Sequence, residues 1–331
     1  MGKLHLGTTL WSWRESGSAK TLCTQAEQAE ALGFDSIWLP ENHFSGKGAI
    51  PSPLTQLAAL AARTERLQLG CTSYLLPIRH PLQAAEEVAV LDQLCEGRLI
   101  LGLGRGLGKP MFEAFGVSAS NKRALFKRNL EIMRRAWGGE PITAHDSGVS
   151  QNTEADNAAF AQDGIVLSPL PWQQPGPPLW VAAFGPLALE QVASLGLPYL
   201  ASPLESQKTL QYNYARYHQQ VAEAHLPAVN TIPIMRTVHV TQSGAQTRAL
   251  RRALEGTVPD QMRDRAGAVE EWAIVGEPQW VADCIAGYQE NLSVTHLIVR
   301  AGIRGVDSKE QLRSHEVLRS LFPVSSSTGG P

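Results

Sequence analysis

The sequence predicts an α/β protein, a (β/α)8 barrel of the TIM type, and three observations predict it. Apolar strand-like runs alternate with helix-period segments along most of the 331 residues, the pattern of βα units rather than of separate helical and sheet parts. Leu99–Leu103 is an unbroken apolar run bounded by glycines, as a strand covered on both faces of a parallel sheet is. No Pro/Ser/Gly-rich linker divides the chain into balanced halves, and its length suits a barrel of about 250 residues with insertions. A doubly wound sheet is the alternative.

The elements follow from the hydrophobic period. About eight strands are expected, at Leu4–Leu10, Ser36–Pro40, Leu67–Leu75, Leu99–Leu103, Leu179–Ala183, Tyr199–Ala201, Thr231–Val240 and His296–Arg300. Helical spacing fills the intervals at Ala19–Leu32, Pro53–Arg63, Pro81–Leu94, Lys122–Trp137, Leu187–Leu195, Ser206–Ala224, Ala245–Leu254 and Pro278–Asn291, with a closing helix at Lys309–Leu321. One barrel domain over residues 1–323 is expected. The polar stretch 143–163 reads as a surface excursion within it, and the Ser/Gly/Pro-rich tail 324–331 as disordered.

Composition narrows the partner. With 29 basic and 31 acidic residues and a net charge of −2, the chain offers no field for a polyanion and no basic run for nucleic acid or lipid headgroups. A small molecule is the expected ligand. Cys23, Cys71, Cys95 and Cys284 are scattered without metal or redox spacing and read as reduced core thiols. No apolar run approaches the roughly 18 residues of a membrane span, and the N-terminus shows no secretory signal. A cytoplasmic protein with no membrane partner is the expectation.

A barrel carries its chemistry where the strands end. That rule singles out Trp11 and Trp13 after the first strand, Glu41, Asn42, His43 and Phe44 after the second, and Thr72, Ser73 and Tyr74 at the third. It adds Arg105 after the fourth, Phe184 and Gly185 after the fifth, Ser202 after the sixth and Arg300 after the eighth. The stretch Val90–Gly106 is the most specific: a helix stopped at Gly97, a buried strand, then one arginine between Gly104 and Gly106. Backbone can approach a ligand there and a fixed cation can meet an anion. The glycines do not fit a dinucleotide fingerprint, because Leu107 and Lys109 stand where its third glycine belongs. No metal-ligand spacing and no Ser/His/Asp set can be assembled, which leaves metal hydrolysis and glycoside cleavage without support. Aromatic and apolar strand ends suit a flat organic cofactor with a charged tail.

ENHF at Glu41–Phe44, SYLLPIRHP at Ser73–Pro81 and LDQLCEGRLILGLGRG ending at Gly106 resemble the bacterial luciferase-like, flavin-dependent monooxygenases, which are (β/α)8 barrels. FEAFG at Phe112–Gly116, KRAL at Lys122–Leu125, PPLWVAAF, ASLGLPYLAS and GEPQWVADCIAGYQ continue the likeness in order. Each motif is loose; the ordered series covers nearly the whole chain.

The resemblance implies FMN, its phosphate paired with Arg105 and with the helix start Phe184, Gly185, Pro186 and Leu187. Hydroxyls common there in the family are replaced here, and Pro186 has no N–H to offer. It implies a cis peptide at Thr72–Ser73 beneath the flavin ring, Gly104 and Leu107 flanking the ring, and Glu41 near its reactive edge. Where the family carries two histidines, this chain has Asn42 and then His43. An amide cannot move a proton near neutral pH, so either the acid/base role passes to His43, with Glu41 and Asn42 as polar partners, or the reaction needs less proton help. Trp11, Trp13, Tyr74 and Arg300 are substrate-pocket candidates, Arg300 also being a candidate partner for Glu41.

The implied activity is oxygenation of a small or medium organic substrate with O2 through a flavin peroxide. Reduced FMN would come from a separate, transient flavin reductase. A homodimer is implied, its contacts on the helices holding Leu57–Ala62 and Glu86–Glu87. The alternatives are an F420-dependent oxidoreductase of the same superfamily and a non-catalytic flavin-binding or partner subunit.

Overall fold

The computed structural model describes residues 2–12, 18–143, 146, 164–259 and 263–323. Trp13, nearly all of the excursion 143–163 and the tail 324–331 lie outside the described residues. The chain forms two compact units, Met1–Trp38 with Val181–Pro331, and Leu39–Trp180.

In the first unit β1 (His5–Thr9), α1 (Ala19–Ala31) and β2 (Ser36–Leu39) make one βα step, with Gly7 to Thr9 of β1 in parallel register with Ser36 to Trp38. Ser18 starts α1 by accepting from the Thr21 amide at 3.2 Å, which relieves one of the unpaired N–H groups of a helix start.

The second unit carries the remaining early elements. They are α2 (Pro53–Ala61), β3 (Gln68–Leu75), α3 (Pro81–Leu94), β4 (Leu99–Gly104), α4 (Lys109–Ala114) and α5 (Lys122–Trp137). β3 and β4 are parallel, Leu69 opposite Leu99 and Leu75 opposite Gly104, with a register shift between Thr72 and Tyr74. Every residue of β4 is buried, so this strand is covered on both faces as its apolar run predicts. Gly102 is required there: a Cβ would lie 2.1 Å from the carbonyl oxygen of Cys71.

Small residues let α3 pack closely. Its buried face is Ala84, Ala85, Val88, Ala89, Leu91 and Asp92, and Trp137 of α5 donates its indole N–H to the Ala85 carbonyl at 3.1 Å. Asp92 is fully buried and takes the backbone and side-chain amides of Gln173, each at 2.8 Å. Arg98 holds the other side of this corner by donating to the carbonyls of Ala61, Leu67 and Cys95 and to the Thr64 hydroxyl. Both side chains thus serve the fold, as charge-assisted hydrogen bonds suit a buried corner.

The chain re-enters the first unit within β5 (Leu179–Ala182), then forms α6 (Pro186–Leu195), β6 (Tyr199–Leu200), α7 (Gln207–Glu223), β7 (Pro233–Val240) and α8 (Gly244–Glu255). After the single turn α9 (Arg263–Ala266) come β8 (Ala273–Gly276), α10 (Pro278–Leu292), β9 (His296–Arg300) and α11 (Ser308–Leu321). β1 pairs with β9, β9 with β7, β7 with β8 and β5 with β6, all parallel.

Two points depart from the expected barrel. β8 is an additional strand, paired with the second half of β7; AIVG is too short a run to separate from its flanking helices by period. No ladder joins β6 to β7 among the described residues, so a closed ring of strand pairing is not formed. Side chains bridge that junction instead. The Tyr214 hydroxyl stands 2.9 Å from the Tyr199 carbonyl and 2.7 Å from that of Pro233, and buried Arg236 donates to the carbonyls of Ser202 and Glu205. The fold shown is therefore α/β with parallel strand pairing and alternating helices.

Candidate active site

The second unit places Glu41 and His43 beyond the end of β2. The Glu41 side chain is wholly buried, and three donors converge on it. The Leu75 amide reaches Oε2 at 2.9 Å; His43 Nε2 and Arg79 Nη1 reach Oε1 at 2.7 and 2.8 Å. A carboxylate only accepts, so the hydrogen between it and His43 sits on Nε2. Arg79 is thus a cation held directly at Glu41.

Asn42 does different work. Its carbonyl oxygen accepts from the Ser45 hydroxyl at 2.7 Å and the Ile50 amide at 3.0 Å, closing the loop that presents His43. Phe44, at φ 58°, and Phe115 flank the imidazole, with Phe115 edge-on at 4.9 Å between ring centroids.

Tyr74 is fully buried under the Arg79 guanidinium, 3.9 Å from its ring centroid, and donates its hydroxyl to Glu87 at 3.0 Å. Burial pushes the phenol well above its usual range. Burial also opposes the charge on Arg79, but Tyr74 and Glu41 outweigh it and hold that pKa above the ordinary value. His43, Tyr74, Arg79, Glu87, Leu91 and Phe115 are among the residues lining a groove of about 780 Å³ beside α2 and α3.

β4 brings Arg105 to the same end of this unit. Leu75, whose amide binds Glu41, pairs with Gly104, the residue before Arg105. Gly104 has no room for a Cβ, which would stand 2.1 Å from Ser73 Oγ, and the Thr72–Ser73 peptide is cis, as the resemblance implies. Leu107 is exposed. Burial, then the neighbouring Arg123, lower the Arg105 pKa; burial, then Arg105 and Arg123, lower that of Lys122. Arg105 at the end of β4 and Lys122 at the start of α5 thus both lie within range of the Arg123 charge. Such a cluster suits a multiply charged anion.

The other candidates belong to the first unit. Trp11 is buried edge-on against His315, 4.9 Å between centroids, and its amide and that of Ser12 donate to Gln25. Arg300 ends β9 and is exposed. Phe184 packs against the cluster of Leu250, Trp272 and Ile303. Gly185, at φ 82°, precedes α6, with Pro186 in its first turn and Leu187 exposed.

Sequence reasoning passed over Arg79, Lys122 and Arg123, although all three lie in the motifs SYLLPIRHP and KRAL. The signal for Arg79 is its place four residues after the β3 end, within reach of a carboxylate that needs a counter-charge. The signal for the other two is a pair of cations opening a helix, a position their charge disfavours.

Residues 4–295 match the family model described as luciferase-like monooxygenase. The alkanal monooxygenase alpha chain of the Kryptophanaron alfredi symbiont is 33% identical over 183 residues, 55% of this chain and 48% of that relative. The chain spans about half the length of the curated relatives it matches. Among solved structures, the oxygenating constituent of 3,6-diketocamphane monooxygenase from Pseudomonas putida, a type II Baeyer-Villiger monooxygenase in complex with FMN, has a TM-score of 0.77. Its identity is 21%, over 96% of this chain and 97% of that one. An F420-dependent secondary alcohol dehydrogenase in complex with an F420-acetone adduct also has a TM-score of 0.77, at 16% identity over 98% and 100% of the two chains. At these identities the likeness is one of fold.

Proposed function

Because the chain belongs to the luciferase-like monooxygenase family, a family of flavin-dependent monooxygenases and oxidoreductases, we propose that it binds reduced FMN and oxygenates a small or medium organic substrate with O2. The observation that carries this reading is Arg105, with Lys122 and Arg123 near it, standing across β3 from the Glu41–His43 pair. The donor set fits the cofactor. Arg105 with its two cationic neighbours would hold the phosphate, Gly104 and Gly106 would let backbone approach it, and Thr72, Ser73 and Leu107 would border the ring.

When bound, reduced flavin and O2 supply the oxidising chemistry. The protein's part is to bind, orient and exclude water. His43, holding its Nε2 hydrogen against Glu41, has Nδ1 left to hold or pass a proton. Asn42, with its oxygen committed to the loop, supports His43 by position rather than by proton transfer. Gly185 and Leu187, Trp11 and Arg300 belong to the first unit and stand as phosphate-side and substrate-side proposals on the family resemblance alone.

Delivery of reduced FMN by a transient reductase and a homodimer belong to the same reading. The exposed Val90 and Leu94 on α3, at the groove beside α2, support a second copy seated there, which sedimentation would reveal. The deazaflavin F420 is the second reading, supported by the equal TM-score of the F420 enzyme. Reconstitution with each cofactor separates the two. Tight FMN binding and faster reoxidation of reduced FMN by O2 support the first; binding of F420 alone overturns it.

A further inference from the structure

We propose that Arg79 is a positioning residue for His43, acting through Glu41, a proposal that rests on reading this site as the flavin site. The geometry is a fixed chain of contacts. Glu41 Oε1 is shared between His43 Nε2 and Arg79 Nη1, and Oε2 is fixed by the Leu75 amide. Three donors on two oxygens leave the carboxylate one orientation, and the imidazole follows it.

Arg79 is itself held by three further contacts. Its Nη1 donates to the Leu75 carbonyl at 2.9 Å, its Cζ lies over the Tyr74 ring, and its own carbonyl accepts from the Asn129 side-chain amide at 3.1 Å. Tyr74 is anchored in turn on Glu87. A continuous line thus runs from Glu87 on α3 through Tyr74, Arg79 and Glu41 to His43. With Arg79 in place, the countercharge of the buried carboxylate is the guanidinium, and His43 meets Glu41 as a hydrogen-bond donor. Remove Arg79 and the imidazole becomes the one side-chain donor of this group left on Oε1, so both the direction and the strength of its bond change. The role is that of the third member of a nucleophile–base–orienter set, moved one step back from the imidazole.

The test compares Arg79→Lys, Arg79→Gln and Arg79→Met with the parent. In the full chain without cofactor, labelled with 15N-histidine and with His43 assigned from His43→Gln, the Nε2 proton is expected as a downfield, slowly exchanging resonance. Arg79→Lys keeps the charge and should keep that resonance; Arg79→Gln and Arg79→Met should shift or lose it while unfolding cooperatively. With reduced FMN and O2, kcat in the neutral variants should fall on the order of 10- to 100-fold, with KM for substrate within about twofold. Should Arg79→Met fail to fold, Arg79→Gln, which can still donate to the Leu75 carbonyl, carries the same comparison. An unchanged His43 resonance in the neutral variants overturns the proposal. A parent protein that neither binds nor reoxidises reduced FMN overturns the functional reading instead, while the resonance still decides the role of Arg79.

Discussion

His43 Nε2 lies 2.7 Å from Glu41 Oε1, between two residues separated by a single position, and the carboxylate they share with Arg79 has no exposed surface. Replacing Glu41 by Gln leaves Arg79 beside a neutral amide. Breaking a buried pair by removing one partner costs about 3 kcal/mol or more, so the urea midpoint should fall accordingly. Activity in the folded protein should fall with it, because His43 exchanges a charged acceptor for a weaker, neutral amide oxygen. A variant as stable and active as the parent would show that the pair organises nothing.

Asp92 makes a separable prediction. Its two oxygens satisfy Gln173 from 81 residues away, and neither contacts a candidate for chemistry. Asp92→Ala should cost about 3 kcal/mol, the loss of two charge-assisted hydrogen bonds in a buried site, measured by urea unfolding. Cofactor affinity of the folded protein should stay within about twofold, since the lost bonds serve the fold alone.

Stability should also depend on pH through three histidines of the first unit. Burial, with Arg313 adding to it, lowers His239 to about 4. Burial and His5 lower His296 to about 4; burial and His239 lower His315 to about 3. The unfolded chain takes up these protons from about pH 6.5 downward, while the folded protein does so only near pH 4 and below. The unfolded state therefore binds more protons between those limits, and stability falls as pH drops through that window. Each unit of depression is worth about 1.4 kcal/mol, so several kcal/mol should separate pH 7.5 from pH 5. Urea midpoints at the two pH values check this; equal midpoints would contradict it, and His315→Gln should narrow the gap.

The fold was legible wherever one period dominates. Pro81–Leu94, Lys122–Trp137 and His296–Arg300 are found at the bounds their patterns predict, because a proline start, an amphipathic stripe or an apolar run is a local signal. β8 was not legible, its four residues being shorter than either period can resolve. The unpaired β6–β7 junction was also hidden, since Tyr214 and Arg236 bridge it by contacts between distant segments. At the site, Arg105 and His43 stood out by strand-end position and residue type. Arg79 did not, because its meaning lies in a carboxylate 38 residues earlier, which no spacing rule connects to it.

Arg105 and its cationic neighbours are proposed to hold the phosphate of a flavin, and phosphate is what separates FMN from riboflavin. Equilibrium binding of both, followed by flavin fluorescence with the parent protein and with Arg105→Ala, tests it most directly. The parent should prefer FMN to riboflavin by roughly 10-fold to 100-fold, the worth of a hydrogen bond to a charged group. Arg105→Ala, still folded, should lose most of that preference while leaving riboflavin binding unchanged. Equal affinity of the parent for FMN and riboflavin, or a preference that survives the loss of Arg105, would contradict the assignment.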